Sequence, residues 1–210
     1  MSGVNAFWRE PKSLVLASKS SARAALLKQT GIPFITAAAK IDERTVEGPR
    51  RQAGATAREI AAHLATAKAK AAAVAPQHRD HLVLGADQTL ALGDRMFTKP
   101  AHREEALEQL RALSGGEHEL HSAICLMRAE DILFETVETA HMKMRVLGEP
   151  FLTAYASEVG PALTASVGAY QVEGLGIHLF DSIAGDHSTI LGLPLIPLLA
   201  FLRRNGSLLG

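Results

Sequence analysis

Apolar and polar positions alternate between two periods along the chain. Residues 13–17, SLVLA, form a short apolar run that ends in the polar turn Ser18-Lys19-Ser20-Ser21. This predicts a buried strand and then a helix over about 22–30, closed by Gly31 just past its end. A strand, a hydroxyl-rich turn and a helix in that order leave backbone N–H groups at the helix start free for an anion. Residues 33–36 read as extended, and 42–54, polar with Gly48, Pro49 and Gly54, as a mobile loop. Helical spacing of Ile60, Leu64, Ala67, Ala71 and Val74 predicts a long helix over 56–75. HLVLGADQTLAL at 81–92 is a buried strand, with Gly93-Asp94 as a tight turn after it. A helix over 104–113, stopped by Gly115-Gly116, precedes two long strands within 118–146 that join near 129–131. A short helix over 150–158 follows, then mixed loop and strand over 160–185. Pro194 is placed to open a closing helix over 194–204. Strands interleaved with helices make this an α/β chain.

Composition narrows the class. A length of 210 residues suits one large α/β domain or two closely packed lobes. The 47% hydrophobic content supplies a core, and 21% charged residues argue against disorder. Lys+Arg and Asp+Glu both number 22, so the chain lacks the basic excess of a duplex-binding surface, and no nucleic acid is expected as a partner. The single cysteine, Cys125, excludes an intrachain disulfide and reads as a small buried hydrophobe in Ala123–Met127. The opening MSGVNAFWREPKS has no apolar core of a secretory signal. The longest apolar stretch, Ile190 to Leu202, is 13 residues and carries Pro194 and Pro197. A bilayer span needs about 20 residues, so no membrane is expected and a cytoplasmic location is.

Four polar segments fall where core elements should be apolar. Ser18-Lys19-Ser20-Ser21-Ala22-Arg23 offers two hydroxyls and a cation at a helix start. It reads either as a phosphate cradle or as an ordinary N-cap turn with Ser20 or Ser21 as the cap. In Gly85-Ala86-Asp87-Gln88-Thr89 an aspartate follows a buried run, where a carboxylate can bind Mg²⁺, deprotonate water, or simply cap a turn. Lys99 is followed by Pro100, which restricts it to extended backbone and gives it a defined direction. In Gly168-Ala169-Tyr170-Gln171-Val172-Glu173-Gly174-Leu175-Gly176 the glycines permit close approach to a ligand and Glu173 can reach outward. This is not G-x-G-x-x-G spacing, and no helix pattern opens after it, which excludes a dinucleotide loop. His118-Glu119-Leu120-His121 is not H-E-x-x-H, and the nine histidines show no ligand spacing.

Taken together, these segments resemble the Maf family of nucleotide pyrophosphatases. LVLASKSSARAALLKQTGIPF is similar to the family opening, IDE at 41–43 to its acidic step, and HLATAKAKA to the helix whose lysine faces the cleft. VLGADQTLALGDRMFTKP resembles the G-A-D segment followed by K-P. LSGGEHELHSAICL and GAYQVEGLGIHLFDSIAGDHSTILGLPL resemble the two closing segments. The likeness covers 13–205, leaving 1–12 as an N-terminal arm and 206–210 as a tail. It implies a mixed, twisted sheet flanked by helices, two lobes around one deep central cleft, similar to the inosine triphosphate pyrophosphatases. It also implies a homodimer and a divalent metal, Mg²⁺ or Mn²⁺. Ser18, Ser20 and Arg23 would hold the triphosphate, Lys68 and Lys99 would neutralise its charge, Glu43 and Asp87 would position the metal, and Asp87 would accept the proton.

Departures from the family pattern bear on the substrate. The branch acting on dTTP and UTP has threonine after the G-A-D aspartate and glutamine before G-L-G, whereas this chain has Gln88 and Glu173. The 7-methyl-GTP branch carries D-Q and E-G there, and it also lacks the first arginine of S-P-R-R. A carboxylate accepts from the N1–H and amino group of guanine, while uracil offers a single N–H. Ala22 fits neither branch. The expectation is therefore a pyrophosphatase for a modified purine nucleotide such as 7-methyl-GTP, with a dTTP/UTP pyrophosphatase or a nucleotide-binding cell-division regulator as alternatives.

Overall fold

The computed structural model describes residues 6–39 and 41–210, so the first five residues of the expected arm lie outside the described residues. Seven strands form one mixed sheet in the order β2-β1-β3-β5-β6-β7, with β4 paired to β3. They are β1 (Leu14–Ala17), β2 (Phe34–Thr36), β3 (Leu82–Leu92), β4 (Arg95–Phe97), β5 (Glu117–Arg128), β6 (Asp131–Met144) and β7 (Phe180–Ala184). Around them run α1 (Ser21–Gln29), α2 (Glu43–Gln52), α3 (Ala57–Ala73), α4 (Arg103–Leu113), α5 (Glu149–Val159), α6 (His187–Ile190) and α7 (Leu195–Arg204). The α/β expectation, a mixed sheet flanked by helices, is what is found. The chain forms two compact units, and β3, β5 and β6 each contribute residues to both.

The first unit comprises the described residues up to Gln88, with Ser122–Glu138 and Asp186–Gly210. Here β1 runs parallel to both β2 and β3. Successive side chains of a strand face opposite ways, and β1 divides accordingly. Leu14 and Leu16 join Leu26, Leu27, Leu84, Ile124, Leu198 and Leu202 in one core, whereas Val15 and Ala17 pack with Val83, Ala72 and Ala73. Ala61, Ala65 and Ala69, one helical turn apart on α3, form a small-residue face against Ala123, Cys125 and Met127. With so little side chain between them, α3 lies close to β3. A Cβ on Gly85 would stand 2.1 Å from the Ala65 carbonyl oxygen and 2.6 Å from the Ala69 nitrogen. Cys125 is buried as expected, and burial pushes its thiol up to about 12.

Local signals placed most boundaries. Thr56 and Glu59 form a reciprocal capping box at the start of α3, and Gly31 closes α1 with φ +71°. The segment expected to be a mobile loop is instead helical over α2, despite Pro49 inside it. Asp42 caps it by accepting from the Arg44 N–H at 3.0 Å, Glu47 pairs with Arg51 one turn on, and α2 packs against α3. Gly48-Pro49 is a breaker by propensity, costing about 3 kcal/mol in an isolated helix, and tertiary contact overrode it. The short α6 was not anticipated. Nor are residues 6–12 and 206–210 loose ends: Trp8 bridges Leu208, is 7% exposed and belongs to the leucine core.

The second unit comprises Thr89–His121 and Thr139–Gly185. It holds the β3–β4 and β6–β7 antiparallel pairings, α4 and α5, and three short 3₁₀ turns at Gly160–Thr164, Val167–Ala169 and Leu175–Leu179. At its centre His118, fully buried, shares a hydrogen bond of 2.7 Å between Nε2 and the Tyr170 hydroxyl, and Phe180 packs edge-on to the tyrosine. Burial depresses the His118 pKa to about 4 from 6.5, so it stays neutral in the fold. The unfolded chain binds its proton more readily, so stability due to this histidine is complete above the unfolded value and drains away as pH falls toward 4. Between pH 7 and 4 that loss amounts to roughly 3 kcal/mol. Urea midpoints of the wild type and His118→Gln should therefore converge as pH falls across this window. A difference independent of pH would show that folding leaves the pKa of the histidine unshifted.

Candidate active site

Four of the expected residues meet in the first unit. Lys68, on α3, projects to β3 because Gly85 lets the helix sit against that strand. Its Nζ donates to Glu43 Oε1 at 2.7 Å and to Asp87 Oδ1. Glu43 is the first residue of α2 and more than half exposed, while Asp87 is nearly buried in mid-strand. One ammonium thus stands between two carboxylates that are 44 residues apart in the chain.

Arg23 completes the constellation from the first turn of α1. Ser20 caps that helix by accepting from the Arg23 N–H at 3.3 Å, and Ser18 Oγ accepts from the Ser20 N–H at 3.2 Å. The Arg23 guanidinium donates from Nη1 to Ser18 Oγ at 3.3 Å and to the Ala86 carbonyl at 3.0 Å, and from Nε to the Gly192 carbonyl at 2.8 Å. The turn is thus an N-cap and, at the same time, a seat for a cation. Ala22 sits half-buried beside Arg23 on the same first turn.

Electrostatics tie these groups together. Burial raises the Asp87 pKa, and Lys68 and Arg23 oppose that shift. Burial likewise lowers the Arg23 pKa, opposed by Asp87 and then Glu43. Each charge is sustained by the others in a partly dry environment. A carboxyl held above its ordinary range is a better proton acceptor than a solvated one.

The remaining expected residues lie elsewhere. Lys99 and Glu173 belong to the second unit, and both are exposed. Lys99 follows Thr98, whose carbonyl accepts from the buried Gln109 amide at 2.8 Å, so its backbone is held as the Lys-Pro pair implied. Glu173 tips a turn closed by the Gly174 N–H bonding to Gln171 O at 3.1 Å. A Cβ on Gly176 would come within 2.4 Å of that carbonyl, which explains the glycine. Gln88 directs its amide nitrogen at Ser122 and at the Thr189 and Ile190 carbonyls. Sequence reasoning missed Ser122, Gly192 and the Ala86 carbonyl. Gly192 lay unassigned in the closing segment, and nothing in the sequence marks a backbone acceptor.

No set of three or more His, Cys, Asp or Glu side chains among the described residues could cage a metal. The donor chemistry still suits a hard divalent ion. Glu43 and Asp87 already gather around one cation, and Mg²⁺ typically takes one or two carboxylates and completes its shell with water and phosphate oxygens.

Fold and constellation define the class: an α/β enzyme whose carboxylates and cations gather beside a hydroxyl-rich helix start. The profile of the Maf-like protein family matches residues 13–205, and the chain belongs to that family. It is a hydrolase. It is 58% identical over 197 residues to a Rhodopseudomonas palustris (strain BisB5) protein named nucleoside triphosphate pyrophosphatase, covering 93% of this chain and 95% of the relative. It is 52% identical over 191 residues to a Brucella abortus biovar 1 (strain 9-941) protein named 7-methyl-GTP pyrophosphatase, covering 91% and 95%. A solved HAM1 protein from Coxiella burnetii overlaps 63% of this chain and 72% of its own, at 18% identity and a TM-score of 0.39. No helix among the described residues is long and apolar enough to cross a membrane.

Proposed function

We propose that the chain hydrolyses a nucleoside triphosphate to its monophosphate and pyrophosphate, preferring 7-methyl-GTP or a related modified purine nucleotide to dTTP and UTP. The observation that carries this reading is the Lys68 ammonium bonded to both Glu43 and Asp87, with Arg23 coupled to the same carboxylates.

Each residue type has a task in attack of water on the α-phosphorus. Ser18, Ser20 and the first-turn amides of α1 orient phosphate oxygens through the partial positive charge of a helix start. Arg23 and Lys68 meet negative charge as it spreads in the transition state, and Lys99 adds a further cation on the family pattern. Asp87, buried and adjacent to Lys68, accepts the proton of the attacking water. Glu43 and Asp87 would hold a divalent ion of the Mg²⁺ or Mn²⁺ type, which supplies Lewis-acid stabilisation of the phosphates when bound. Glu173 accepts hydrogen bonds from the guanine edge, and its charge favours a cationic methylated base. A cytoplasmic homodimer completes the reading, on the family likeness.

Pyrophosphate release from a panel of nucleotides with Mg²⁺ or Mn²⁺ tests the reaction, and silence across the panel ends the proposal. Base choice is tested separately by Glu173→Gln. It should lower kcat/KM for 7-methyl-GTP by about tenfold or more relative to UTP, because glutamine cannot accept from both guanine donors and loses the charge that favours a cationic base. An unchanged ranking removes Glu173 from base recognition, and dTTP or UTP ranked first in the wild type assigns the chain to the pyrimidine branch.

A further inference from the structure

Gln88 directly follows the carboxylate proposed to accept the proton, yet its amide is turned to the protein. Nε2 lies 2.8 Å from Ser122 Oγ, 3.0 Å from the Ile190 carbonyl and 3.2 Å from the Thr189 carbonyl. Two carbonyl oxygens facing one amide can only be met by its NH₂ end, which fixes the side chain's orientation. Both amide hydrogens are spent there. Ser122, fully buried, donates in turn to the Thr189 carbonyl at 2.7 Å.

Those carbonyls belong to the turn that ends α6, and the same turn seats Arg23. Asp186 caps α6 by accepting from the Ser188 and Thr189 amides at 3.0 and 3.1 Å. The turn closes with the Gly192 N–H on the Thr189 carbonyl at 3.0 Å and the Leu193 N–H on the Ser188 carbonyl at 2.9 Å. Gly192 has φ +90°, and a Cβ on it would stand 3.3 Å from Arg23 Nε. Its carbonyl accepts from that Nε at 2.8 Å. A continuous path therefore runs from Gln88 through the 189–192 backbone to the guanidinium. With Nε on Gly192 and Nη1 on Ser18 and Ala86, the guanidinium is held by three segments, and a Cβ on Gly192 would stand 3.4 Å from Nη2 as well.

We infer that Gln88 is a positioning residue: by holding the 189–190 carbonyls it sets the Gly192 carbonyl that orients Arg23 for the phosphates. This rests on the proposed hydrolysis only for the identity of the ligand.

Tripolyphosphate is the discriminating probe, because it carries phosphates and no base. Calorimetric binding to wild type, Gln88→Thr and Gln88→Met should show Kd raised about tenfold in both variants, the cost of disturbing one charge-assisted contact. In an Arg23→Lys chain, which lacks the Nε bond to Gly192, the same Gln88 substitutions should raise Kd less than about threefold, as residues acting in series are not additive. Unchanged tripolyphosphate affinity, or an equal loss in the wild-type and Arg23→Lys backgrounds, would each overturn the inference. If Gln88→Thr does not fold, Gln88→Met and the Arg23→Lys pair decide alone, since methionine keeps the length and volume. A wild type that binds tripolyphosphate but releases no pyrophosphate from any nucleotide sinks the hydrolysis reading and leaves this one standing.

Discussion

Asp87→Asn is expected to lower kcat for nucleotide hydrolysis by about 10³-fold, the range associated with losing a general base. Asparagine keeps the shape and still presents an oxygen to Lys68, so the constellation should survive while the proton acceptor does not. Two features make this carboxylate the strongest target. Burial holds its pKa above the ordinary 3.8, and Lys68 and Arg23 keep enough charge nearby for the ionised form to exist. Single-turnover kinetics with tripolyphosphate Kd measured alongside separates the cases. Loss of kcat with Kd nearly unchanged supports the base, whereas equal losses in both would reassign Asp87 to holding the phosphates. A variant within about threefold of wild-type turnover would remove Asp87 from the chemistry.

Gly85→Ala should cost the fold more than any single surface change. The added Cβ would meet a backbone oxygen at 2.1 Å and a backbone nitrogen at 2.6 Å, both on α3, where no side chain can swing aside. Overpacking a well-packed core typically costs 1–3 kcal/mol, and a backbone clash should reach or exceed about 3 kcal/mol. For a chain of this length that is a fall in Tm of about 10 °C. Activity should fall too, because pushing α3 from β3 moves Lys68 away from Asp87. Gly48→Ala is the counterpart: nothing lies within 4 Å of its added Cβ, its backbone is helical, and alanine there should raise stability by about 0.5–1 kcal/mol. If both substitutions shift Tm alike, the close approach of helix and strand is not what Gly85 is for.

Local order determined much of what could be read in advance. The apolar run in SLVLA, the Thr56–Glu59 cap and the 3.6-residue spacing of α3 are signals carried within a few residues. They placed β1, α1, α3, β3 and the two long strands to within about two residues. The resemblance to the Maf family also named Arg23, Glu43, Lys68 and Asp87 as members of one set. What it lacked was the means by which they meet, and this is a property of three dimensions.

Three features were decided only by the tertiary structure. Residues 43–52 contain Gly48-Pro49, so propensity reads a loop, and a helix forms because packing on α3 and the Asp42 cap outweigh the breaker. Trp8 looked like part of a loose arm, but its partner Leu208 lies 200 residues away and no local pattern can register that pairing. Gln88 stood out in the sequence only as a branch difference, whereas in the fold its amide nitrogen donates to Ser122 and to carbonyls about 100 residues onward. The physical reason is common to all three. Side-chain periodicity reports burial and local hydrogen bonding, which neighbours in sequence control, while the acceptors and packing partners that set Arg23, α2 and the arm come from distant segments.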